Sequence, residues 1–122
     1  MTNPFVLVVE DDAKLSEIFS LTLQSIGCRT EQVTDGAIAL TRLAEVVPDL
    51  VVLDLHLPNV AGSDILRYIR SEARLARIPV LLATADERLA ETLEDQASLT
   101  LLKPVSPEQL RLLATRLLVN RL

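Results

Sequence analysis

Five polar side chains follow short apolar runs in this chain: Glu10, Asp11, Asp54, Thr84 and Lys103. Three are carboxylates, one is a hydroxyl and one is an ammonium group. Carboxylate oxygens without His or Cys side chains suit a hard divalent cation, and Mg²⁺ is the natural choice. Such an ion, a hydroxyl donor and an ammonium group can together bind the three equatorial oxygens of a transferring phosphoryl group. The pattern therefore predicts phosphoryl-transfer chemistry with Mg²⁺.

Asp54 is the best candidate for the nucleophile, because it stands alone at the end of its run while Glu10 and Asp11 can hold the ion. Like charges this close raise each other's proton affinity unless a cation intervenes. The backbone carbonyl of His56 can supply another oxygen. The predicted metal ligands are Glu10, Asp11, Asp54 and His56, and the predicted catalytic residues are Asp54, Thr84 and Lys103.

Three residues near this site, His56, Asp86 and Asp12, have roles that the sequence leaves open. The imidazole of His56 could influence water access and phosphoryl lifetime, and an exposed histidine with no role is an equally good interpretation. Asp86, two residues after Thr84, could pair with His56 across the site, which we treat as a hypothesis. Asp12 is interpreted as a solvated neighbour or a helix N-terminal charge rather than a metal ligand.

These residues must be positioned by the elements between them, where short apolar runs alternate with helical periodicity. The predicted strands are Phe5–Val9, Arg29–Val33, Leu50–Leu53, 80–83 and Leu99–Leu102. The first predicted helix ends at Gly27, and the second is capped by Thr34 or Asp35 and ends before Pro48. The third begins at Ser63 or Asp64, the fourth runs from Asp86 to about Asp95, and the last begins at Pro107 with Ser106 as cap. The first helix is expected to bury Leu15, Ile18, Phe19, Thr22 and Ile26, and the second Ala37, Leu40, Leu43 and Ala44.

Alternating strands and helices predict a parallel sheet with right-handed crossovers. Strands that are apolar at consecutive positions indicate that helices cover both faces, which gives a three-layer (βα)₅ α/β sandwich. Ligands of such open sheets bind beyond the carboxyl ends of the strands, where the five polar residues fall. We expect one domain over residues 1–122.

Composition excludes several functions. The net charge of −5 and the pI near 4.8 provide no basic surface for direct binding of nucleic acid or of an anionic membrane. The single Cys28 cannot form an intramolecular disulfide, which favours a reducing cytoplasm. No apolar stretch approaches the roughly 18 residues of a membrane helix. Met1 suggests a native start, and continuation beyond Leu122 stays open.

Taken together, these motifs resemble the receiver domains of two-component response regulators. The matching pieces are Val9-Glu10-Asp11-Asp12, Asp54-Leu55-His56-Leu57-Pro58 with Gly62 beyond, Thr84-Ala85, and Lys103-Pro104. Their order and spacing cover essentially the whole chain. The resemblance implies a flavodoxin-like fold with strand order 2-1-3-4-5.

The resemblance also implies roles for individual residues. Asp54 would accept a phosphoryl group from the phosphohistidine of a sensor histidine kinase or a phosphotransfer protein. Glu10 would bind Mg²⁺ through water and Asp11 directly, while Thr84 and Lys103 would contact the phosphate. The Lys103–Pro104 bond is usually cis in the family. Such a domain catalyses its own phosphorylation and dephosphorylation but is primarily a signalling domain.

Two departures from the family pattern lie near the surface that commonly transmits the signal. Thr100 occupies a position that usually holds Tyr or Phe, and the interval from Thr84 to Lys103 is shorter than usual. In the last helix, four apolar residues cannot all face inward with the others, which agrees equally with scattered surface leucines and with an outward contact with a second copy, an output domain or another partner. They are Leu112, Leu118, Val119 and Leu122.

Two alternative functions remain open at this point. One is a constitutive interaction module that keeps the receiver fold but signals without phosphate. The other is an aspartyl-phosphate phosphatase, a family that normally has a second Asp two residues after the nucleophile, where this chain has His56.

Four arginines, Arg67, Arg70, Arg74 and Arg77, are expected to form a solvated helix face.

Overall fold

The computed structural model describes residues 3–121, in which five strands alternate with five helices. The strands are β1 (Phe5–Val9), β2 (Arg29–Val33), β3 (Leu50–Leu53), β4 (Val80–Thr84) and β5 (Leu99–Leu102). The helices are α1 (Ala13–Gln24), α2 (Gly36–Glu45), α3 (Gly62–Ser71), α4 (Glu87–Thr92) and α5 (Pro107–Arg121). The predicted order of elements is confirmed.

The strands form one parallel sheet in the order β2-β1-β3-β4-β5, as the family resemblance implied. Consecutive residues of the central strands alternate between two apolar clusters, so both faces are buried. One cluster packs Leu7 and Val9 against α2, α3 and α4. The other packs Val6 and Val8 against α1 and α5. The predicted three-layer flavodoxin-like sandwich is therefore confirmed, and its carboxyl-terminal edge gathers the ends of β1, β3 and β4.

Some predicted helix faces are wrong by a partial rotation. Ile18 is exposed, and Leu23 of α1 is buried. In α2, Ala37 and Ala44 are exposed, while Ala39 packs in the core beside Leu43. Small or apolar residues occur on both sides of these helices, so periodicity alone left the orientation ambiguous.

Two helix boundaries also differ from the prediction. Helix α3 begins at Gly62 after Ala61, which has no side-chain cap, although Ser63 or Asp64 was expected to start it. Helix α4 ends at Thr92 instead of about residue 95. The last helix begins at Pro107 as predicted, because its fixed φ and missing N–H fit a first turn.

The last helix buries part of the apolar set that was expected to face outward. Leu118 packs in the core with Leu110 and Ala114, so its outward prediction is wrong. Leu112 and Val119 are exposed, at 62% and 60%. Leu122 lies outside the described residues. Across residues 3–121, no helix combines the length and apolarity needed to traverse a lipid bilayer.

Two of the four arginines expected on a solvated face are instead bound to backbone carbonyls. Arg70 donates to the carbonyls of Gln96 at 2.7 Å, Ile78 at 2.6 Å and Ala76 at 3.2 Å. Arg74 donates to the carbonyl of Val46 at 3.3 Å and also to that of Leu43, near the end of α2. Burial lowers the pKa of Arg70. The prediction of a solvated side chain is wrong for Arg70, which is half-buried, whereas Arg74 stays exposed while it donates to these carbonyls, since one guanidinium group can satisfy several acceptors.

Candidate functional site

Three carboxylates meet at the carboxyl-terminal edge of the sheet. Glu10 follows β1 and Asp54 follows the neighbouring β3, and the Asp54 N–H donates to the Val9 carbonyl at 2.9 Å. One oxygen from each of Glu10, Asp11 and Asp54 lies within 4.8 Å of the others. Glu10 is 1% exposed and Asp54 5%, whereas Asp11 is exposed. Two buried carboxylates therefore share the site with a third that solvent reaches.

Lys103 brings a positive charge to the same place from the end of β5. The backbone N–H of Lys103 donates to the Thr84 carbonyl at 2.9 Å, which holds the end of β5 beside the end of β4. Its Nζ lies 2.6 Å from Glu10 Oε1 and 3.3 Å from Asp54 Oδ2. The Lys103–Pro104 bond is cis, as the resemblance implied. One ammonium group thus contacts both buried carboxylates.

The buried charges shift one another's proton affinities. Burial raises the pKa of Glu10 from its ordinary 4.5 to about 7, with Asp54 adding to the rise while Lys103 and the Asp12 N–H oppose it. Burial alone would lower the pKa of Lys103, but the carboxylates of Glu10 and Asp54 outweigh it and the pKa is raised. The site therefore holds more negative charge than one ammonium group neutralises.

The donor set of the acidic cluster fits a hard divalent cation. Glu10 Oε1 is buried, and its one positively charged neighbour within residues 3–121 is Lys103 Nζ at 2.6 Å, an ion pair without a further hydrogen-bond partner. Its other oxygen accepts the Asp12 N–H at 3.2 Å. A cation with oxygen ligands and retained waters satisfies such an atom and offsets the excess charge.

A hydrogen-bonded chain joins Asp54 to Thr84 across the mouth of the site. The His56 N–H donates to Asp54 Oδ1 at 3.3 Å, and His56 Nε2 lies 2.9 Å from Asp86 Oδ2. The Asp86 N–H in turn donates to Thr84 Oγ1 at 3.1 Å, and Thr84 is fully buried. The hypothesis that His56 and Asp86 pair is confirmed by this geometry.

Asp86 also caps helix α4, in agreement with the predicted start of a helix at this residue. Its Oδ1 accepts the Leu89 N–H at 3.0 Å and caps α4 while Oδ2 contacts His56. The Leu89 N–H and the His56 ring lower the pKa of Asp86. Asp12 similarly caps α1 by accepting the Leu15 N–H at 3.0 Å, which confirms its interpretation as a helix N-terminal charge.

Two glycines allow the loop after Asp54 to pack against its neighbours. A Cβ on Gly62 would lie 2.1 Å from the Asp54 carbonyl oxygen, and one on Gly36 would lie 2.0 Å from the Val60 carbonyl oxygen. Between them, Asn59 has a φ of 70° and its side chain donates to Asp35, which caps α2. Asparagine tolerates this left-handed backbone, so the Pro-Asn pair was an available turn signal.

The structure thus brings together most of the predicted site. One cluster contains Glu10, Asp11, Asp54 and Lys103. Thr84 is joined to it through the hydrogen-bonded chain that passes through His56 and Asp86. The His56 ring turns toward Asp86 and is mostly exposed, while its carbonyl remains a predicted ligand. The contributions of Gly36 and Asn59 were missed, because they depend on contacts between distant loops.

Comparison with known proteins identifies the class to which this fold and site belong. A family model described as response regulator receiver domain matches residues 6–115. The chain belongs to this family. The DNA-binding response regulator MtrA of Mycolicibacterium paratuberculosis is 37% identical over 108 residues, which is 86% of this chain and 47% of that protein. The chain therefore spans about half the length of this curated relative.

Solved structures agree with the family assignment over nearly the full chain. Chemotaxis response regulator CheY4 of Vibrio cholerae has a TM-score of 0.86 and 27% identity, covering 95% of this chain and 99% of that one. The receiver domain of sensor histidine kinase PA1611 from Pseudomonas aeruginosa has a TM-score of 0.88 and 25% identity, covering 97% and 99%. That structure has a magnesium ion coordinated in its active-site cleft.

Proposed function

We propose that Asp54 accepts a phosphoryl group in a Mg²⁺-dependent reaction, and that residues 1–122 form one receiver domain. The observation that carries this proposal is the cluster of three carboxylates, Glu10, Asp11 and Asp54, with one oxygen of each within 4.8 Å of the others. The magnesium in the PA1611 receiver domain supports the choice of ion.

Asp54 is the reacting group in this proposal. One of its carboxylate oxygens attacks phosphorus, a P–O bond forms, and the bond between phosphorus and the donor's imidazole nitrogen breaks. Lys103 already contacts Asp54 Oδ2, so it is placed to bind a phosphoryl oxygen once Asp54 has reacted. The Thr84 hydroxyl is the second donor: its oxygen accepts the Asp86 N–H, and its own hydrogen would be donated to the phosphate.

Glu10, Asp11, Asp54 and the His56 carbonyl are the residues that would hold Mg²⁺. When bound, the ion neutralises charge that develops on the phosphoryl oxygens. Glu10 is too buried to approach a ligand freely, which supports contact through a retained water, whereas the exposed Asp11 can bind directly. The acidic cluster is therefore proposed as the Mg²⁺ site.

The proposed partners are a sensor histidine kinase or a phosphotransfer protein as phosphoryl donor, and a protein that reads the phosphorylated state. The exposed Leu112 and Val119 support contact of α5 with a second copy or an output domain. We propose no direct nucleic-acid contact for this domain, because its net charge is −5. A cytoplasmic location fits a domain that receives phosphoryl groups from such donors.

Mass spectrometry after treatment with acetyl phosphate and Mg²⁺ tests this proposal. Wild-type protein is expected to gain the mass of one phosphoryl group, and Asp54→Asn to gain none. Asp64→Asn is the matched control, because it changes an exposed aspartate of α3 and should be phosphorylated like wild type. Equal masses for treated and untreated wild type would overturn the proposal.

A receiver fold that signals without phosphate is the second candidate. It is favoured by the Lys103 contacts, since an ammonium group that already pairs with Glu10 and Asp54 can stabilise the cluster without a metal. Thr100 in place of the usual aromatic residue agrees with it. Calorimetric titration separates the two candidates, because a phosphate-independent module should bind Mg²⁺ weakly or not at all.

A further inference from the structure

The loop that follows Asp54 is held against the start of α2 by a side-chain contact and a backbone contact. The Asn59 side chain donates to Asp35 Oδ2, and the Gly36 N–H donates to the Pro58 carbonyl at 3.0 Å. We call the first contact the Asp35–Asn59 link. It joins the loop after β2 to the loop after β3, with Asn59 exposed and Asp35 partly exposed.

Each partner in the link is also constrained by its own backbone. Asp35 Oδ1 accepts the N–H groups of Ala37 at 2.7 Å and Ile38 at 3.2 Å, which holds its carboxylate in place as the cap of α2. Asn59 has a φ of 70°, in the left-handed region that asparagine tolerates better than most residues. The link therefore attaches the tip of one loop to a fixed helix terminus.

The loop held in this way leads directly from the proposed nucleophile and carries a proposed metal ligand. It covers residues 55–61, and the His56 carbonyl lies within it. At its base, the Gly62 N–H donates to the Leu55 carbonyl at 2.9 Å, and a Cβ on Gly62 would lie 2.1 Å from the Asp54 carbonyl oxygen. Close packing thus fixes the base of the loop, and the link fixes its tip.

We propose that Asp35 and Asn59 are positioning residues for Mg²⁺, because their link holds the loop after Asp54 in the conformation that presents the His56 carbonyl. This inference rests on the proposed function. Neither side chain belongs to the acidic cluster, so both act through the backbone between them and His56. Without the link, the loop occupies this conformation for a smaller fraction of the time, and the apparent affinity for the ion falls by that fraction.

Loss of the link should weaken Mg²⁺ binding by roughly two- to fivefold, which is the scale on which one exposed polar contact acts. Phosphorylation by acetyl phosphate should then need more Mg²⁺ for its half-maximal rate. The maximal rate should stay close to that of wild type, because saturating Mg²⁺ restores the loop conformation. General damage to the site would lower the maximal rate instead.

Two substitutions of Asp35 remove the same charge and differ in the link. Asp35→Ser keeps a hydroxyl that can cap α2 but has no second polar atom for Asn59. Asp35→Asn also caps the helix, and its amide can donate to the Asn59 side-chain oxygen once that amide turns over. We expect weaker Mg²⁺ binding in Asp35→Ser and binding near that of wild type in Asp35→Asn.

A substitution of Asn59 tests the other end of the link. Asn59→Gly removes the side chain and keeps a residue that adopts a positive φ without strain. It should weaken Mg²⁺ binding to the same extent as Asp35→Ser. The double variant Asp35→Ser/Asn59→Gly should bind no more weakly than either single variant, because both changes delete one contact, whereas two independent defects would multiply.

Calorimetric titration with MgCl₂, on proteins shown by circular dichroism to be folded, measures these affinities. Weaker binding in Asp35→Ser and Asn59→Gly, without a further loss in the double variant, supports the inference. If wild type binds Mg²⁺ and both single variants bind equally well, the link has no positioning role. Equal weakening in Asp35→Asn and Asp35→Ser would assign the effect to the lost charge and overturn the inference too. If wild type neither binds Mg²⁺ nor gains phosphoryl mass, the proposed function fails, and this inference fails with it.

Discussion

Lys103 Nζ lies 2.6 Å from Glu10 Oε1, although the two residues come from opposite ends of the chain. This contact joins the end of β5 to the end of β1 across the intervening β3 and β4. It places a half-buried cation against a carboxylate that is 1% exposed. The charge of the buried site therefore depends on this pair, and the dependence of folding stability on pH tests its contribution.

Without metal, the protein should lose stability as pH rises from about 4.5 to about 7. The pKa of Glu10 is about 7 in the folded protein and 4.5 ordinarily, so the folded state binds more protons within this window. Stability falls with pH wherever the folded state binds more protons. The raised pKa of Lys103 contributes throughout this range and is lost only at alkaline pH. Urea unfolding in EDTA measures the effect.

Glu10→Gln should remove this part of the pH dependence. We expect a difference of no more than about 2 kcal/mol between the two proteins across the window, after allowance for Lys103 and for solvent screening. Glu17→Gln, an exposed change in α1, is the matched control and should keep the wild-type slope. A Glu10→Gln protein with an unchanged slope would show that Glu10 is not the titrating group.

Mg²⁺ should stabilise the wild-type protein and fail to stabilise Asp11→Asn. A ligand that binds only the folded state adds about 2.7 kcal/mol when present at 100 times its dissociation constant. Asp11 contributes one of the clustered oxygens, so its loss removes a charged ligand. Thermal unfolding with and without MgCl₂ measures the difference.

Asp12→Asn provides the adjacent control for that experiment. Asp12 caps α1 and lies outside the acidic cluster, and asparagine is an equally good cap. We expect this variant to respond to Mg²⁺ as wild type does. If Asp11→Asn were stabilised as strongly as Asp12→Asn, the predicted ligand set would be wrong.

The strands and the acidic cluster could be predicted from sequence because both depend on local patterns. Apolar runs at consecutive positions specify strands buried on both faces, and a parallel sheet brings the carboxyl ends of its strands to one edge. Residues at those ends, such as Asp54 and Lys103, must then lie near one another. Their proximity follows from topology and does not require the details of packing.

The features that could not be predicted depend on contacts between distant parts of the chain. Arg70 binds the carbonyl of Gln96, 26 residues away, and nothing in the helical pattern of α3 indicates this. The same contact holds the chain shortly after α4, which ends at Thr92 rather than near residue 95. The rotation of α1 that exposes Ile18 was likewise decided by packing rather than by periodicity.

Arg70→Met should destabilise the protein by about 2–4 kcal/mol. The change leaves three carbonyls without their charged donor, and each hydrogen bond to a charged group contributes about 1.5–3 kcal/mol when considered alone. Arg70→Lys should recover less than half of the loss, because an ammonium group is a point donor without the guanidinium fork. Urea unfolding gives both values.

Arg67→Met is the control for that series, since Arg67 is exposed and contacts only Asp64 among the ion pairs of the described chain. Its effect should stay within about 0.5 kcal/mol. A loss of stability for Arg70→Met as small as that for Arg67→Met would contradict a stabilising role for the three hydrogen bonds from Arg70 to backbone carbonyls. An unchanged denaturant slope in all three variants is required for the comparison.

Gly62→Ala should weaken Mg²⁺ binding as well as stability, whereas Gly27→Ala should affect stability alone. A Cβ on Gly62 would lie 2.1 Å from the Asp54 carbonyl oxygen and 2.6 Å from Leu55 Cα, so backbone beside the site must move. Gly27 has a φ of 91° with open space around it, and alanine there meets only backbone strain of about 1–2 kcal/mol. Calorimetric titration of Mg²⁺ and urea unfolding of both variants measure the two effects. A folded Gly62→Ala protein with wild-type Mg²⁺ affinity would contradict the idea that this close packing positions Asp54.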